Sequence, residues 1–150
     1  RFFTVYGPRG RPDMAPYIFL DSIHKGNPIT QFGDGSSSRD YTYIDDIVNG
    51  IFKATNHFKT DVFNLGNSKP ITLTNFIKTI EEVTEKTAKI NIIENQKGDV
   101  PTTCANIEYS NKILGYEPTI SLKDGLQEMY NDYVKYNSKK NNINTLNHNL

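Results

Sequence analysis

Apolar residues change their spacing several times along the first half of the chain, and each change predicts a new element. The β-branched and aromatic run Arg1–Tyr6 predicts a strand, and the Gly- and Pro-rich stretch after it predicts a loop. Helical spacing over Met14–Lys25, with Asp13 as N-cap and Gly26 just past the end, predicts the first helix. In chain order, the next predicted elements are a strand at 29–32, a turn at 33–35, a strand at 39–44, and a helix with the apolar positions Ile44, Ile47, Val48, Ile51 and Phe52.

The second half of the chain continues the alternation of short strands and helices. In order, its predicted elements are a strand at 62–66, a helix capped by Thr72, a strand at 90–93, a short helix at 107–114, and a last helix that a Ser121/Asp124 capping box opens. From Asn137 onward the chain consists mostly of Asn, Lys and Ser, and we therefore predict a disordered tail over 137–150. Strands that alternate with helices indicate an α/β fold with at least part of a parallel sheet.

Length, charge and composition narrow the class of protein. A chain of 150 residues is about one domain, and 36% hydrophobic residues indicate a thinner core than usual. The formal net charge of zero gives no basic surplus that would point to nucleic acid or to an anionic membrane. The single cysteine cannot form an internal disulfide, no Cys/His cluster has zinc spacing, and no long apolar run occurs. We therefore expect a cytoplasmic protein without a metal site, a membrane span or a nucleic-acid partner.

The positions of the arginines suggest where chemistry is located. All four arginines fall within the first 39 residues, and every later cation is lysine. Arg11 and Arg39 lie in stretches rich in Gly, Pro and Ser, where the backbone can approach a ligand closely. The planar guanidinium matches phosphate and carboxylate groups, whereas lysine is a mobile point charge. The pattern alone leaves two interpretations open, an anion-binding pocket and ordinary surface arginines.

Two motifs that suggest nucleotide chemistry are set aside. The stretch 33–38 lacks the third glycine of a dinucleotide turn and the Gly-Lys-Ser/Thr of a P-loop, and it leads into a predicted strand. Tyr136 and Lys140 have the Tyr-x-x-x-Lys spacing, which a chain rich in Tyr and Lys also produces by chance. Because Lys140 falls in the predicted tail, no rigid surroundings would hold it as a base. We predict no catalytic residue in this chain.

Three segments together resemble one enzyme family. They are RFFTVYGPRGRPDMA at 1–15, PITQFGDG at 28–35 and RDYTYIDDI at 39–47. In this combination they resemble the extended short-chain dehydrogenase/reductase (NAD-dependent epimerase/dehydratase) family, and the GRPDMA stretch at 10–15 is most similar to that of UDP-glucuronate 4-epimerases. The likeness continues through 63–66, 98–101 and 114–118 and covers about residues 1–136.

The resemblance implies a fold, a cofactor and a division of the chain. It implies that residues 1–136 are the C-terminal, sugar-nucleotide-binding part of such an epimerase, including late strands of an incomplete Rossmann sheet. In the family an active-site Tyr assisted by Lys removes the proton of the sugar 4-hydroxyl while NAD accepts the C4 hydride. Those residues and the Gly-rich NAD turn precede the strand with which this sequence begins. We therefore expect the chain to lack them and to be inactive alone.

The resemblance also assigns roles to individual residues. Thr4 and Arg11 match positions at the glucuronate carboxylate, and Arg39 matches the arginine on the diphosphate. Met14 and Ala15 match positions at a helix N-terminus whose backbone N–H groups would face the nucleotide. Gln31 and Phe32 match positions near the uracil, and Asp99 matches one near the ribose. The backbone of Phe2 and Phe3 would pass beside the nicotinamide.

Three functional hypotheses remain open at this stage. The chain is the substrate half of a UDP-glucuronate 4-epimerase that works with a complementing NAD-binding chain, a UDP-sugar-binding module without catalysis, or a non-functional truncated remnant. UDP-glucose/UDP-galactose is the alternative substrate pair. Family members are homodimers, but the sequence does not determine the oligomeric state of this protein.

Overall fold

The computed structural model describes the backbone of residues 1–95 and 98–147 and the side chains of these ranges up to residue 138. In chain order the elements are β1 (Thr4–Tyr6), α1 (Ala15–Lys25), β2 (Pro28–Phe32), β3 (Ser38–Arg39), β4 (Tyr41–Tyr43), α2 (Ile44–Ala54), β5 (Ile71–Thr72), α3 (Leu73–Thr84), β6 (Lys89–Ile93), α4 (Glu108–Leu114) and α5 (Leu122–Asn147). This succession confirms the predicted α/β class.

The strands form three two-stranded sheets. β1 pairs with β4 and β2 pairs with β6, both in parallel, whereas β3 and β5 are antiparallel. The single strand predicted at 39–44 is wrong, because its residues divide between β3 and β4 and the helix α2 begins at Ile44. The strand predicted at 62–66 is reduced to one parallel bridge between Leu65 and Phe2, in which Leu65 bonds to the backbone of residues 1 and 3. The amino group of Arg1 also donates to the carbonyl of Phe63 at 2.7 Å.

The main core lies where α1, α3 and α5 meet the β1/β4 pair. Its buried side chains are Tyr6, Phe19, Leu20, Ile23, Ile29, Tyr41, Tyr43, Phe76, Ile77, Ile80, Val83, Leu126, Met129 and Tyr133. The start of α5 approaches this core closely because residue 125 is glycine, and a Cβ there would overlap the hydroxyl of Tyr6. A smaller cluster of Ile47, Leu65 and Tyr116 joins α2 to the segments around it.

The last helix is longer than the sequence pattern suggests. α5 continues to Asn147, so residues 137–147 are helical, and the disordered tail predicted for this stretch is wrong over that range. Within this stretch, Asn137 and Ser138 donate side-chain hydrogen bonds to the carbonyls of Tyr133 and Val134, one turn earlier in the helix. The side chain of Lys140 and residues 148–150 lie outside the described part, and the division of the chain at residue 136 stays a prediction.

His24 packs between α1 and α5 in a way that makes stability depend on pH. Its Nδ1 lies 3.0 Å from the hydroxyl of Tyr130, and its ring contacts those of Tyr130 and Tyr133. Burial lowers the pKa of His24 below its usual value, and the nearby Lys86 lowers this pKa further, whereas Asp21 acts in the opposite direction. The folded protein therefore favours the neutral imidazole more than the unfolded chain does.

We expect the free energy of unfolding to fall as the pH drops below about 6.5, because the unfolded chain then binds a proton that folded His24 resists. This stability is fully present at pH values above that point. Denaturant unfolding at about pH 7.5 and 5.5 measures the loss, which His24→Gln should reduce. An equal loss in wild type and variant would contradict the assignment to His24.

The described residues show no helix that is both long and apolar enough to cross a membrane. In the same part of the chain, no three or more His, Cys, Asp or Glu side chains come together as a group that could hold a metal ion.

Candidate functional site

An open cleft of about 440 Å³ lies beside the N-terminal half of α1 and against β2. Its walls come from five separate parts of the chain: Asp13, Ala15, Ile18, Phe19 and Ser22; Pro28, Ile29, Thr30 and Phe32; Ser37, Arg39 and Tyr41; Leu73; and Asp99. Four of the ten residues predicted for the site line it, namely Ala15, Phe32, Arg39 and Asp99.

Arg39 is fixed in the cleft by backbone pairing on one side and by an ion pair on the other. β3 ends at Arg39, which pairs with Ile71 of β5. The guanidinium donates to the carbonyl of Ser38 at 2.9 Å and to Asp99 Oδ1 at 2.6 Å. The side chain is 26% exposed, and both terminal nitrogens of the guanidinium donate within the protein. Arg39 is therefore held in one orientation at the cleft wall.

Arg11 lies outside the cleft wall, at its rim. Its guanidinium makes a two-pronged pair with Asp13, in which Arg11 Nε donates to Asp13 Oδ1 at 3.0 Å. The Arg11 side chain is 74% exposed, whereas Asp13 itself lines the cleft. This pairing also explains why the predicted N-cap is wrong, because α1 has Met14 at its N-cap position and the Asp13 carboxylate contacts Arg11 instead. The contact of Arg11 with a ligand carboxylate stays a prediction.

The N-terminus of α1 points its first turn toward the cleft. Met14 has extended backbone angles and provides no side-chain cap, and Ala15 is the first helical residue and lines the cleft. The N–H of Met14 donates to the carbonyl of Arg11 at 3.2 Å and Pro16 has no N–H, which leaves the N–H of Ala15 and the partial positive charge of the helix end for an anion. The contact of Met14 and Ala15 with a nucleotide stays a prediction.

The other predicted residues are placed elsewhere. Gln31 is buried away from the cleft, and its amide donates to the carbonyl of Gly33 at 3.1 Å. Thr4 lies in β1 and bonds through its backbone N–H to the carbonyl of Asp40 at 3.1 Å. Phe2 and Phe3 pair with Leu65, on the edge of the β1 region. Their predicted roles are untested by this geometry.

Sequence reasoning missed several cleft residues. Tyr41 belongs to the buried core and also has a face in the cleft, and Leu73 at the start of α3 reaches the same wall. Burial raises the pKa of Tyr41 to about 12, so its hydroxyl stays protonated at neutral pH. Leu73 is more than thirty residues from Arg39 along the chain, and no local spacing pattern indicates such a meeting.

The cleft combines one oriented arginine, a helix N-terminus and apolar walls. Ile18, Phe19 and Phe32 offer apolar surface for a flat ring, while Arg39 and the start of α1 suit an attached anion. Among the described lining residues there is no His, Cys or Lys that would act as a nucleophile or base. This arrangement supports binding of a ring-bearing anion.

A second cavity of about 290 Å³, between Arg9 and α5, contains none of the predicted site residues.

Comparison with known proteins shows that this chain is similar to one group of enzymes. Residues 1–66 match the NAD dependent epimerase/dehydratase family. The chain is 42% identical to a UDP-glucuronate 4-epimerase of Thermodesulfobacterium geofontis over 87% of this chain and 41% of that protein. It thus spans less than half the length of such relatives.

Solved structures show the same likeness. The UDP-glucuronic acid 4-epimerase from Bacillus cereus, in complex with UDP-glucuronic acid and NAD, superposes with a TM-score of 0.85 and 37% identity over 91% of this chain and 44% of that one. The UDP-glucose 4-epimerase of Thermotoga maritima, with UDP-glucose, gives a TM-score of 0.86 and 31% identity over 91% and 45%.

Proposed function

We propose a function from the premise that this chain is a relative of the NAD-dependent epimerases of the extended short-chain dehydrogenase/reductase family: it binds the sugar nucleotide of a UDP-glucuronate 4-epimerase. The reaction interconverts UDP-glucuronate and UDP-galacturonate through transient oxidation at C4. The observation that carries the proposal is the oriented Arg39 fork beside the N-terminus of α1, in a cleft with apolar walls.

Each part of the ligand has a matching part of the cleft. Arg39 would bind the diphosphate together with the backbone N–H of Ala15 at the start of α1, and Phe32 would contact the uracil from β2. Asp99 would accept a hydrogen bond from the ribose. Because a charge-assisted contact contributes roughly 1.5–3 kcal/mol, Arg39 alone would contribute a large share of the affinity.

Specificity for an acidic sugar is assigned to the rim of the cleft. Arg11 is close enough to the cleft to pair with Asp13, which is one of its lining residues. UDP-glucuronate carries a carboxylate in addition to its diphosphate, whereas UDP-glucose does not. Arg11 and the hydroxyl of Thr4 would therefore bind the sugar carboxylate. This contact would distinguish the acidic substrate from the neutral one.

NAD would supply the hydride acceptor when bound. Phe2 and Phe3 are the residues of this chain assigned beside its nicotinamide, through backbone atoms. The 150 residues contain no Gly-x-x-Gly-x-x-Gly turn, so they do not make up a dinucleotide site by themselves. The contribution of this chain is accordingly to bind and orient the sugar nucleotide.

A partner that carries NAD is part of the proposal. α2 exposes Val48, Ile51 and Phe52, and Phe2 near the adjacent strand is exposed as well. Exposed apolar groups in such number are typical of an interaction surface. We assign this surface to an NAD-binding unit, on the same polypeptide or on another, that brings the Tyr–Lys pair to the sugar.

Arg39→Ala is expected to weaken UDP binding at least about tenfold, because the diphosphate loses its charge-assisted contact. Isothermal titration of wild type and variant with UDP measures the change. Arg9→Ala is the matched control, since Arg9 is an exposed arginine paired with Asp132 outside the cleft, and it should leave the affinity almost unchanged. No UDP binding by the wild type, or equal losses in the two variants, would refute the proposed site.

A further inference from the structure

Both arginines assigned to ligand anions are already paired with an aspartate of the same cleft. Arg39 Nη2 lies 2.6 Å from Asp99 Oδ1, and Arg11 holds Asp13 with two nitrogen donors. Both aspartates line the cleft. The positions where a ligand would place its anionic oxygens are therefore next to protein carboxylates that use the same donors.

The two pairs differ in how they are built. Asp13 follows Arg11 by two residues with Pro12 between them, so the restricted backbone of proline keeps the two side chains close together. Asp99 comes from a segment sixty residues beyond Arg39 and is held there by the surrounding fold, where Pro101 and Ser38 are hydrogen-bonded through their backbones. Two unrelated parts of the chain thus place the same chemical group at the two arginines.

We propose that Asp99 and Asp13 are internal counter-ions of the cleft, which a ligand must displace from Arg39 and Arg11 with its own diphosphate and carboxylate. This inference rests on the proposed sugar-nucleotide site and adds how that site selects its ligand. The Arg39 side chain is only 26% exposed, and a half-buried guanidinium without an anion is unfavourable, so Asp99 compensates its charge before a ligand arrives. Arg11 is exposed, and there Asp13 occupies the donors that a ligand carboxylate would use.

The exchange lowers affinity and shapes specificity. An incoming diphosphate gains the Arg39 fork only as the Asp99 carboxylate gives it up, so the net gain is smaller than a new ion pair. At the rim, a neutral sugar leaves the Arg11–Asp13 pair intact, whereas a uronate must compete with Asp13. The Arg11 guanidinium holds the pKa of Asp13 below its usual range, so the competing carboxylate stays ionised at neutral pH.

Inorganic pyrophosphate tests the Asp99 exchange, because it has no ribose whose contact with Asp99 would confuse the result. Asp99→Asn keeps the shape of the side chain but removes its charge, and we expect it to bind pyrophosphate about three- to tenfold more tightly than wild type. Asp132→Asn is the matched control, because it removes the same charge from the Arg9–Asp132 pair outside the cleft. It should change the affinity by less than about twofold.

Asp13→Asn tests the exchange at Arg11 independently. Asp13 is exposed, so we expect this substitution to leave the fold intact. We expect it to tighten binding of UDP-glucuronate about two- to fivefold and to leave UDP-glucose within about twofold. If the wild type binds pyrophosphate and UDP but neither aspartate variant binds more tightly than wild type, the exchange is refuted while the proposed function stands. If the wild type binds neither ligand, the proposed function fails and the exchange fails with it.

Discussion

The substitution Asp40→Ala is expected to remove a large part of the free energy of unfolding of this protein. Asp40 is fully buried, and its carboxylate accepts three backbone hydrogen bonds. Oδ1 accepts from the N–H of Asn67 at 2.8 Å, and Oδ2 accepts from those of Ser68 at 2.9 Å and Ala105 at 2.8 Å. One side chain thus joins the end of β3 to two loops that are distant in sequence.

Removal of this carboxylate leaves three N–H groups without their acceptor. A buried donor that loses its partner costs about 1–3 kcal/mol, so we expect a loss of about 3–5 kcal/mol or more. That is a large part of the free energy of unfolding of a single domain, which is about 5–15 kcal/mol. Urea unfolding followed by circular dichroism measures the loss, and a variant without a cooperative transition would agree with it.

Two variants sharpen this test. Asp40→Asn keeps one carbonyl oxygen as acceptor and turns a donor toward the remaining N–H groups, so its loss should be substantial and its transition still visible. Asp45→Ala removes an exposed carboxylate near by in the sequence, at the start of α2, and should cost about 1 kcal/mol or less. If Asp40→Ala unfolds within about 1 kcal/mol of wild type, these hydrogen bonds do not stabilise the fold as argued.

Phe76→Ala is expected to have the second largest effect, a loss of about 3–5 kcal/mol. Phe76 is fully buried in α3 and stacks on Tyr41, with ring centroids 4.2 Å apart and planes 12° apart. Its ring also packs against Phe19 at 6.3 Å. Alanine would leave a cavity between α1, α3 and β4 that the neighbouring side chains cannot fill.

The same substitution should also affect the cleft, since Tyr41 and Phe19 both belong to its wall. We expect UDP affinity to fall in Phe76→Ala under conditions where the variant is still folded. Phe76→Leu, which fills most of the space, should cost about 1.5 kcal/mol or less. Phe58→Ala removes a phenyl ring that is 95% exposed and should stay within about 0.5 kcal/mol of wild type. Equal losses at positions 58 and 76 would contradict this account of the core.

Local patterns in the sequence were sufficient to predict where several helices begin or end. Thr72 caps α3 by accepting a bond from the N–H of Asn75, and Ser121 and Asp124 form the predicted capping box at α5. Gly26 ends α1 as predicted, and Gly115 ends α4 in the same way, both with left-handed backbone angles. These features depend on residues within one turn of each other, so a single sequence contains all the information that they require.

The family likeness predicted an anion contact at Arg39, which lines the cleft, but the tertiary structure decided the partners of each side chain. The sequence marks Arg11 and Arg39 as a pair, whereas the fold puts only Arg39 in the cleft wall and gives each arginine an aspartate. No spacing pattern predicts that Asp40 bonds to loops 27 and 65 residues away along the chain.

What the sequence by itself determined is therefore the order and type of most elements, most of the helix caps and a likeness to one enzyme family. What only the tertiary structure decided is the short extent of the strands, the walls of the cleft and the pairing of its charges. The physical reason is range: helix periodicity and capping act within a few residues, whereas strand pairing, burial and ion pairing depend on segments that meet only after the chain has folded.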